Sequence, residues 1–448
     1  MNRYRKRKIK VPTNLVLDDL TADQRIAFDT FTQGSSLFIT GPGGVGKTYL
    51  INKIKKCCET NRIIIGITAM TGCAAYIIQG NTLHSWLGIG LGKSPISAIV
   101  KKIRTRPYLR NRWKNVRVLI IDEASMLDME LFDKLDQIAR LVRNYQVPWG
   151  GIQLCLFGDM CQLPPISGQF VFESENWEST IKHVVQLRET KRQTSPEFSR
   201  CLDEMRFGTI SAETEKLLKT CSKRKQDPCS DIKPTRLYPY NSTVDRINRL
   251  ELQKLRKAHP DSQSATYECG TDYKIKNKSG ATKKKRASSS EIMDKNSKYS
   301  VKLELIVGAQ VMLIVNLDVE GGLVNGSRGV VVGFDNGNPR VKFRHGKTRT
   351  IDRYTWERED THFTLLKSQL PLKLAWACSI HKSQGATLDY AEMDISGVFE
   401  YGQAYVAMSR VRSPESLIIK DYNIKKIKCH PKAIKFYHDL DNNNLCGY

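Results

Sequence analysis

The chain has 448 residues, a length that fits roughly three domains, and its 71 Lys+Arg against 46 Asp+Glu give a net charge of +25. That excess favours a polyanionic partner, because each Lys or Arg that meets a phosphate releases condensed counterions. The 12 cysteines form no CxxC pair, which argues against a zinc or iron–sulfur ligand set and fits a reducing compartment; no apolar run approaches the ~20 residues of a membrane-spanning helix.

Residues 1–18 read as a basic, flexible arm carrying Arg3, Arg5, Lys6, Arg7, Lys8 and Lys10. No apolar stretch follows them, so a secreted protein is not expected. From 19 to 186, apolar runs at Leu37–Thr40, Ile63–Thr68, Val116–Ile121 and Ile152–Phe157 alternate with helical patterns such as Met129–Asn144. This is the signature of an α/β domain with a parallel sheet covered on both faces. Residues 187–250 and 365–448 repeat that character and form a second α/β domain. Between them, 251–364 is an inserted module. Its 257–300 stretch is rich in Lys and Ser, includes Lys283–Arg286, and reads as disordered. Its 301–364 stretch has short strands and turn signals at Asn325–Gly326 and Asn336–Gly337, which fit a small β-barrel.

The chemistry is concentrated in a few blocks. Gly41, Pro42, Gly43, Gly44, Val45, Gly46, Lys47 and Thr48 match a phosphate-binding loop, preceded by a strand and followed by a helical pattern. Its backbone N–H groups curl around phosphate oxygens and the helix N-terminus adds partial positive charge. Lys47 then reaches the β- and γ-phosphates, and the Thr48 hydroxyl is a Mg²⁺ ligand. The strand Val118–Ile121 ends in Asp122 and Glu123. Asp122 suits the metal, and Glu123 suits the proton of an attacking water. Gln162, after a further buried strand, is placed to sense a γ-phosphate. Arg192 and Arg410 lie far away in sequence, where a motor holding ATP between two domains takes its arginine fingers.

Two polar clusters suit a nucleic-acid backbone. One holds Thr68, Thr71, Gly72, Thr82 and His84; the other holds Ser379, His381, Lys382, Ser383 and Thr387. Helix capping explains either cluster taken alone, and His84 or His381 equally suits a core. Trp86 fits base stacking or core packing equally well.

The ordered blocks beginning at Gly41 (GPGGVGKT), Ile120 (IIDEAS), Gly158 (GDMCQLPP), Lys191 (KRQ), Ser379 (SIHKSQGATLD) and Tyr405 (YVAMSRVRS) resemble superfamily 1B helicases. The segment Lys134–Leu154 resembles the signature of the petite-integration-frequency (PIF) family, as do Thr82–Gly90 and Gly308–Leu313 with Asn325–Gly326. The resemblance spans about residues 20 to 425; Met160–Cys161 and Trp149 depart from it in detail. It implies an α/β fold of two RecA-like P-loop domains with parallel sheets, and an SH3-like β-barrel inserted in the second. It also implies a wedge element at about 90–115, ATP and Mg²⁺ as cofactors, and 5′-to-3′ movement on single-stranded DNA. Gln24 matches the position that reads adenine through its amide. Gly385, with Gln384, falls in the block that couples the ATP and DNA sites.

The expected function is an ATP-dependent DNA helicase acting on single-stranded and forked DNA in replication, repair or recombination, working as a monomer and without a membrane. G-quadruplexes and RNA–DNA hybrids are further candidate substrates. Three alternatives stay open: an RNA or hybrid motor, an ATP-switched single-strand-binding protein, and a P-loop kinase. The distant arginines and the second polar cluster argue against the kinase. The basic runs at 3–10 and 283–286 fit import into a nucleus, the host's if the protein is viral.

Overall fold

The computed structural model describes residues 8–442 apart from 91, 191, 194, 225–233, 277–280, 296, 298, 316, 319, 320, 322, 324, 345, 360, 361, 384–386 and 389. The chain opens with α1 (Ala22–Thr32), where Thr21 and Gln24 close a reciprocal capping box. Next come β1 (Leu37–Thr40), α2 (Lys47–Thr60), β2 (Ile65–Ala69), α3 (Gly72–Ile77), β3 (Asn81–Thr82) and α4 (Leu83–Leu87). They are followed by α5 (Ile96–Thr105), α6 (Pro107–Asn115), β4 (Val118–Asp122), α7 (Met129–Arg143), β5 (Gln153–Gly158), α8 (Trp177–Thr180) and β6 (His183–Gln186).

The six strands form one parallel sheet in the order β3-β2-β4-β5-β1-β6. Successive side chains on a strand point to opposite faces, and the sequence places apolar groups at both. Leu37, Ile39, Val118, Ile120, Cys155 and Phe157 enter one core; Phe38, Leu119, Ile121, Leu154 and Leu156 enter the other. Continuous apolar runs are what a sheet buried on both sides demands.

The second half carries α9 (Pro196–Phe207), α10 (Ala212–Lys223), β7 (Thr235–Tyr238), α11 (Asn241–Ala258), β8 (Ser264–Glu268), β9 (Gly270–Ile275) and α12 (Lys283–Lys295). A β-rich stretch follows: β10 (Lys302–Ile306), β11 (Gln310–Leu313), β12 (Arg328–Asp335), β13 (Asn338–Phe343), β14 (Thr348–Thr350), β15 (Tyr354–Glu359), β16 (Phe363–Gln369) and β17 (Leu372–Leu374). The chain then runs through β18 (Ala377–Ser379), α13 (Ile380–Ser383), β19 (Ala391–Ile395), α14 (Gln403–Met408), β20 (Leu417–Tyr422) and α15 (Pro431–Asp441). A second parallel sheet has the order β18-β7-β19-β20. The inserted strands are antiparallel, in sheets β14-β13-β12-β11-β17, β15-β16-β9 and β10-β8. Two parallel-sheet α/β halves with an antiparallel β insert are the fold class that the sequence implies.

The chain forms two compact units: Met1–Thr214 with Phe399–Ser409 and Ile424–Tyr448, and Glu215–Val398 with Arg410–Asn423. Residues 187–214, 399–409 and 424–448, expected with the second domain, therefore belong with the first. The reason is a buried polar cluster described below. The arm also differs from expectation, since Ile9, Leu15 and Leu17 are buried in the core beside α1 and α2. Among the basic residues only scattered apolar ones gave a signal for this. The 257–300 stretch is likewise structured over much of its described length. β8 pairs with β10 and β9 with β16, and Met293 of α12 packs on Phe363 and Leu365. Backbone ladders hold these strands, so their polar side chains gave little sign of them. No helix among the described residues is long and apolar enough to cross a membrane.

Candidate nucleotide and nucleic-acid site

The loop between β1 and α2 gathers the expected nucleotide residues in one unit. Gly46 has φ +83, and a Cβ there would lie 2.5 Å from the Gln24 Nε2. Gln24 is buried, donates from Nε2 to the Val45 carbonyl (3.0 Å) and accepts from the Thr21 N–H through Oε1. Its amide is thus seated against the loop rather than loose in solvent. Gly44 has φ +95, and a Cβ there would meet the Arg192 Cβ at 2.6 Å and the Gln193 Oε1 at 2.9 Å. Both glycines are required by close approach as well as by their left-handed backbone.

The Lys47 Nζ donates to the carbonyls of Gly41 (2.7 Å) and Pro42 (2.9 Å). Burial pushes its ammonium down from the ordinary lysine range, against the pull of the Asp159, Glu123 and Asp122 carboxylates. Thr48 stands in the first turn of α2. Asp122 ends β4 and is buried beside Glu123, whose N–H donates to the Asp122 Oδ1 at 2.9 Å. Burial first, and the neighbouring Glu123 second, push the Asp122 carboxyl up to about 7. Glu123 itself holds φ +56, a left-handed conformation that costs energy for a residue with a side chain. Two buried carboxylates facing an anion-binding loop are a donor set that fits a divalent cation, and Mg²⁺ needs only one or two protein carboxylates.

Gln162 is buried, three residues after Asp159, and its N–H donates to the Asp159 carbonyl (3.0 Å). Arg192 donates from Nη1 to the Ser409 carbonyl (2.9 Å). Beside it Gln193 is 9% exposed, and neither of its amide atoms has a hydrogen-bond partner among the described residues. Arg410 is buried in the other unit, its Nη1 3.5 Å from the Ser383 carbonyl. Gly385 and Gln384 lie outside the described residues.

Asp159 and Tyr405 lie within the blocks beginning at Gly158 and Tyr405 but have no role assigned from sequence, and Arg206 and Tyr437 lie outside every block. The structure makes them one cluster. Asp159 is fully buried at the end of β5 and accepts from the Arg206 Nε (3.0 and 3.1 Å) and Nη2 (3.0 Å), the Cys161 N–H (3.1 Å), the Tyr437 hydroxyl (3.0 Å) and the Tyr405 hydroxyl (3.1 Å). Burial raises the Asp159 carboxyl, but the Arg206 guanidinium, with Lys47 and the Cys161 N–H, holds the group below the usual range. Arg206 also stacks on Tyr437, 4.3 Å from the ring centre. One sequence signal could have found it: Arg206 falls four residues after Leu202, on the buried stripe of Phe198, Leu202 and Met205.

The nucleic-acid candidates divide. Thr71 accepts from the Ala74 N–H (3.1 Å) at the start of α3, which begins at Gly72. Thr82 precedes α4, and His84 within it is half-buried, its imidazole pushed down by burial against the pull of Asp128. Thr387 is partly exposed. Three of the candidates are buried. Thr68 is 0% exposed and its hydroxyl donates to the Ile120 carbonyl of the neighbouring strand. Ser379 is fully buried at the end of β18. Ser383 is buried and donates to the Ile380 carbonyl (2.7 Å). The side chains of His381 and Lys382 lie outside the described set. Trp86 packs in the core, with the Arg112 guanidinium 5.3 Å from its ring. The stretch about 90–115 holds α5 and α6, which bury Ile99, Ile103, Leu109 and Trp113 and expose Lys101, Arg104, Arg106, Arg110 and Lys114.

The PIF1-like helicase family profile matches residues 19–216, and the DNA helicase Pif1 2B domain matches residues 293–334. The ATP-dependent DNA helicase PIF1 of Homo sapiens is 38% identical over 432 residues, covering 94% of this chain and 64% of that protein, so the chain spans about two-thirds or slightly less of such relatives. The crystal structure of Pif1 helicase from Candida albicans is 34% identical, with a TM-score of 0.76 over 95% of this chain and 100% of that one. A Bacteroides Pif1 crystallised with ADP-AlF3 and ssDNA is 28% identical, with a TM-score of 0.64 over 95% of this chain and 97% of that one.

Proposed function

The chain belongs to the PIF1-like helicase family, and from that premise we propose that it is an ATP-dependent DNA helicase that moves 5′-to-3′ on single-stranded DNA and unwinds duplex and forked DNA. The observation that carries the reading is the convergence on one loop of Lys47, the Asp122–Glu123 carboxylates, and Arg192 with Gln193 over Gly44. The Bacteroides relative's complex with ADP-AlF3 and ssDNA supports both substrates.

In this proposal the loop N–H groups and Lys47 bind the phosphates of ATP, and the Gln24 amide faces the adenine. Glu123 takes a proton from the attacking water as the bond to the γ-phosphorus forms and the bond to the leaving ADP oxygen breaks. Gln162, Arg192 and Arg410 stabilise the charge on the transferred phosphoryl group. Thr48 and Asp122 are the residues that would hold Mg²⁺, which when bound supplies charge neutralisation on the β- and γ-oxygens. Thr71, Gly72, Thr82, His84 and Thr387 contact the DNA backbone. Replication, repair or recombination is the process class, and the protein acts as a monomer. Exposed Lys283, Lys284 and Lys285 at the start of α12 support nuclear import.

Lys47→Ala is expected to lower kcat for ATP hydrolysis on the order of 10²–10³-fold, the loss typical of removing one preorganised charge donor. Single-strand affinity, measured by fluorescence anisotropy, should stay within about twofold, since phosphate contacts on DNA are made elsewhere. Retained hydrolysis would overturn the site. Direction and substrate are read with duplexes tailed at one end, in DNA, RNA and hybrid form. Unwinding is expected from a 5′ DNA tail; unwinding from a 3′ tail alone would refute the direction. Unwinding only of RNA or hybrid duplexes would transfer the activity to those substrates.

A further inference from the structure

Resting on the ATP reading above, we propose that Tyr405 is a positioning residue that reports phosphate occupancy of the loop. Its hydroxyl holds the Gly43 N–H where a nucleotide phosphate oxygen would bind, and ATP displaces it.

The available protons fix which way these hydroxyls point. Asp159 is a carboxylate and can only accept. Tyr405 has a single O–H, and Asp159 Oδ2 lies 3.1 Å away. That proton is therefore committed to Asp159. Toward the loop Tyr405 presents only lone pairs, and one of them accepts the Gly43 N–H at 2.9 Å. An oxygen with no proton to give repels a phosphate oxygen. When phosphate takes the Gly43 N–H, as the backbone of such loops does, the Tyr405 hydroxyl has to leave.

The same constraint orients Tyr437. It donates to Asp159 Oδ1 (3.0 Å) and accepts from the Met160 N–H (3.1 Å), so the Thr40 hydroxyl beside it must donate. Tyr437 thus shares the buried aspartate but touches no N–H of the phosphate loop. The two tyrosines differ in just the respect that matters.

Tyr405 lies within α14, all six of whose residues are buried, and the helix leads into Ser409 and then Arg410 in sequence. The Ser409 carbonyl accepts from Arg192, whose Cβ sits over Gly44. The loop therefore reaches the α14–Ser409 segment twice: from Gly43 through Tyr405, and from Gly44 through Arg192. A short buried helix cannot shift piecemeal, because its close-packed surroundings have few alternative arrangements. A change of partner at Gly43 is thus felt along α14 as far as Ser409.

The test uses the full chain as wild type, Tyr405→Phe, Tyr437→Phe and Lys47→Ala. ATP and ADP dissociation constants are measured with a fluorescent nucleotide, and kcat and KM with single-stranded DNA present. Removing the competing hydroxyl should tighten ATP binding by about threefold to tenfold, the worth of one hydrogen bond freed. Loss of the link to α14 should lower kcat on the order of fivefold. Tyr437→Phe should keep wild-type affinity and kcat within about twofold while losing comparable thermal stability. Weaker or unchanged ATP binding in Tyr405→Phe would overturn the proposal, as would the same kinetic change in both tyrosine variants. If the wild type binds no more ATP than Lys47→Ala, the nucleotide reading fails with it. If the wild type binds and Tyr405→Phe matches it, only this inference fails.

Discussion

Arg410→Ala is expected to lower kcat for ATP hydrolysis by about 10³-fold or more, with the ATP dissociation constant changed by less than about threefold. The size follows from the role proposed for it, since a guanidinium delivered to a transferring phosphoryl group contributes ~10³–10⁵ in rate. The split follows from timing: in that role Arg410 would meet charge that develops only in the transition state, so ground-state binding would not draw on it. The structure adds a physical reason for efficiency. Arg410 is buried, its Nη1 faces the Ser383 carbonyl at 3.5 Å, and its own carbonyl accepts the Leu388 N–H at 2.8 Å. A side chain already ordered loses little freedom when it acts. Arg410→Lys should be nearly as defective, because an ammonium keeps the charge but not the planar fork. Steady-state kinetics with a parallel nucleotide-binding titration and thermal melt checks this. Normal turnover in either variant would remove Arg410 from the mechanism.

The second large effect is on stability. Arg206→Ala should destabilise the first unit by about 3–5 kcal/mol, because breaking a buried ion pair leaves the partner charge uncompensated. Asp159 is at 0% exposure and Arg206 at 2%, so little solvent is available to take over. The loss would be spread across the elements that meet there: Arg206 lies on α9, Tyr405 on α14, Tyr437 on α15, and Asp159 after β5. Urea unfolding followed by tryptophan fluorescence reads it, and a drop below about 1 kcal/mol would show that the cluster does not anchor those helices.

Much of the candidate nucleotide site was legible because its motifs are local. A phosphate loop is eight consecutive residues whose glycines and lysine must stand in fixed order, and strand Val118–Asp122 is a continuous apolar run that ends in its carboxylates. Such signals need no knowledge of which parts of the chain meet. The nucleic-acid track was less legible. Thr68, Ser379 and Ser383 have the right chemistry at the right strand and helix ends, yet their hydroxyls are buried. Burial depends on neighbours far away in sequence, and a Ser or Thr reads the same whether it faces solvent or a carbonyl. Strands in 257–300 were missed for a related reason: their ladder bonds are made by backbone, which every residue carries.

The amino-acid sequence by itself determined the two parallel-sheet α/β halves, the β-rich insert and the phosphate-loop motif from which the nucleotide site is proposed, because periodicity and short motifs encode those directly. Only the tertiary structure decided that Asp159, Arg206, Tyr405 and Tyr437 form one buried cluster and that the segments carrying the last three join the first unit. A carboxylate buried without water must collect its partners from wherever the fold brings them. No spacing in the chain records that requirement.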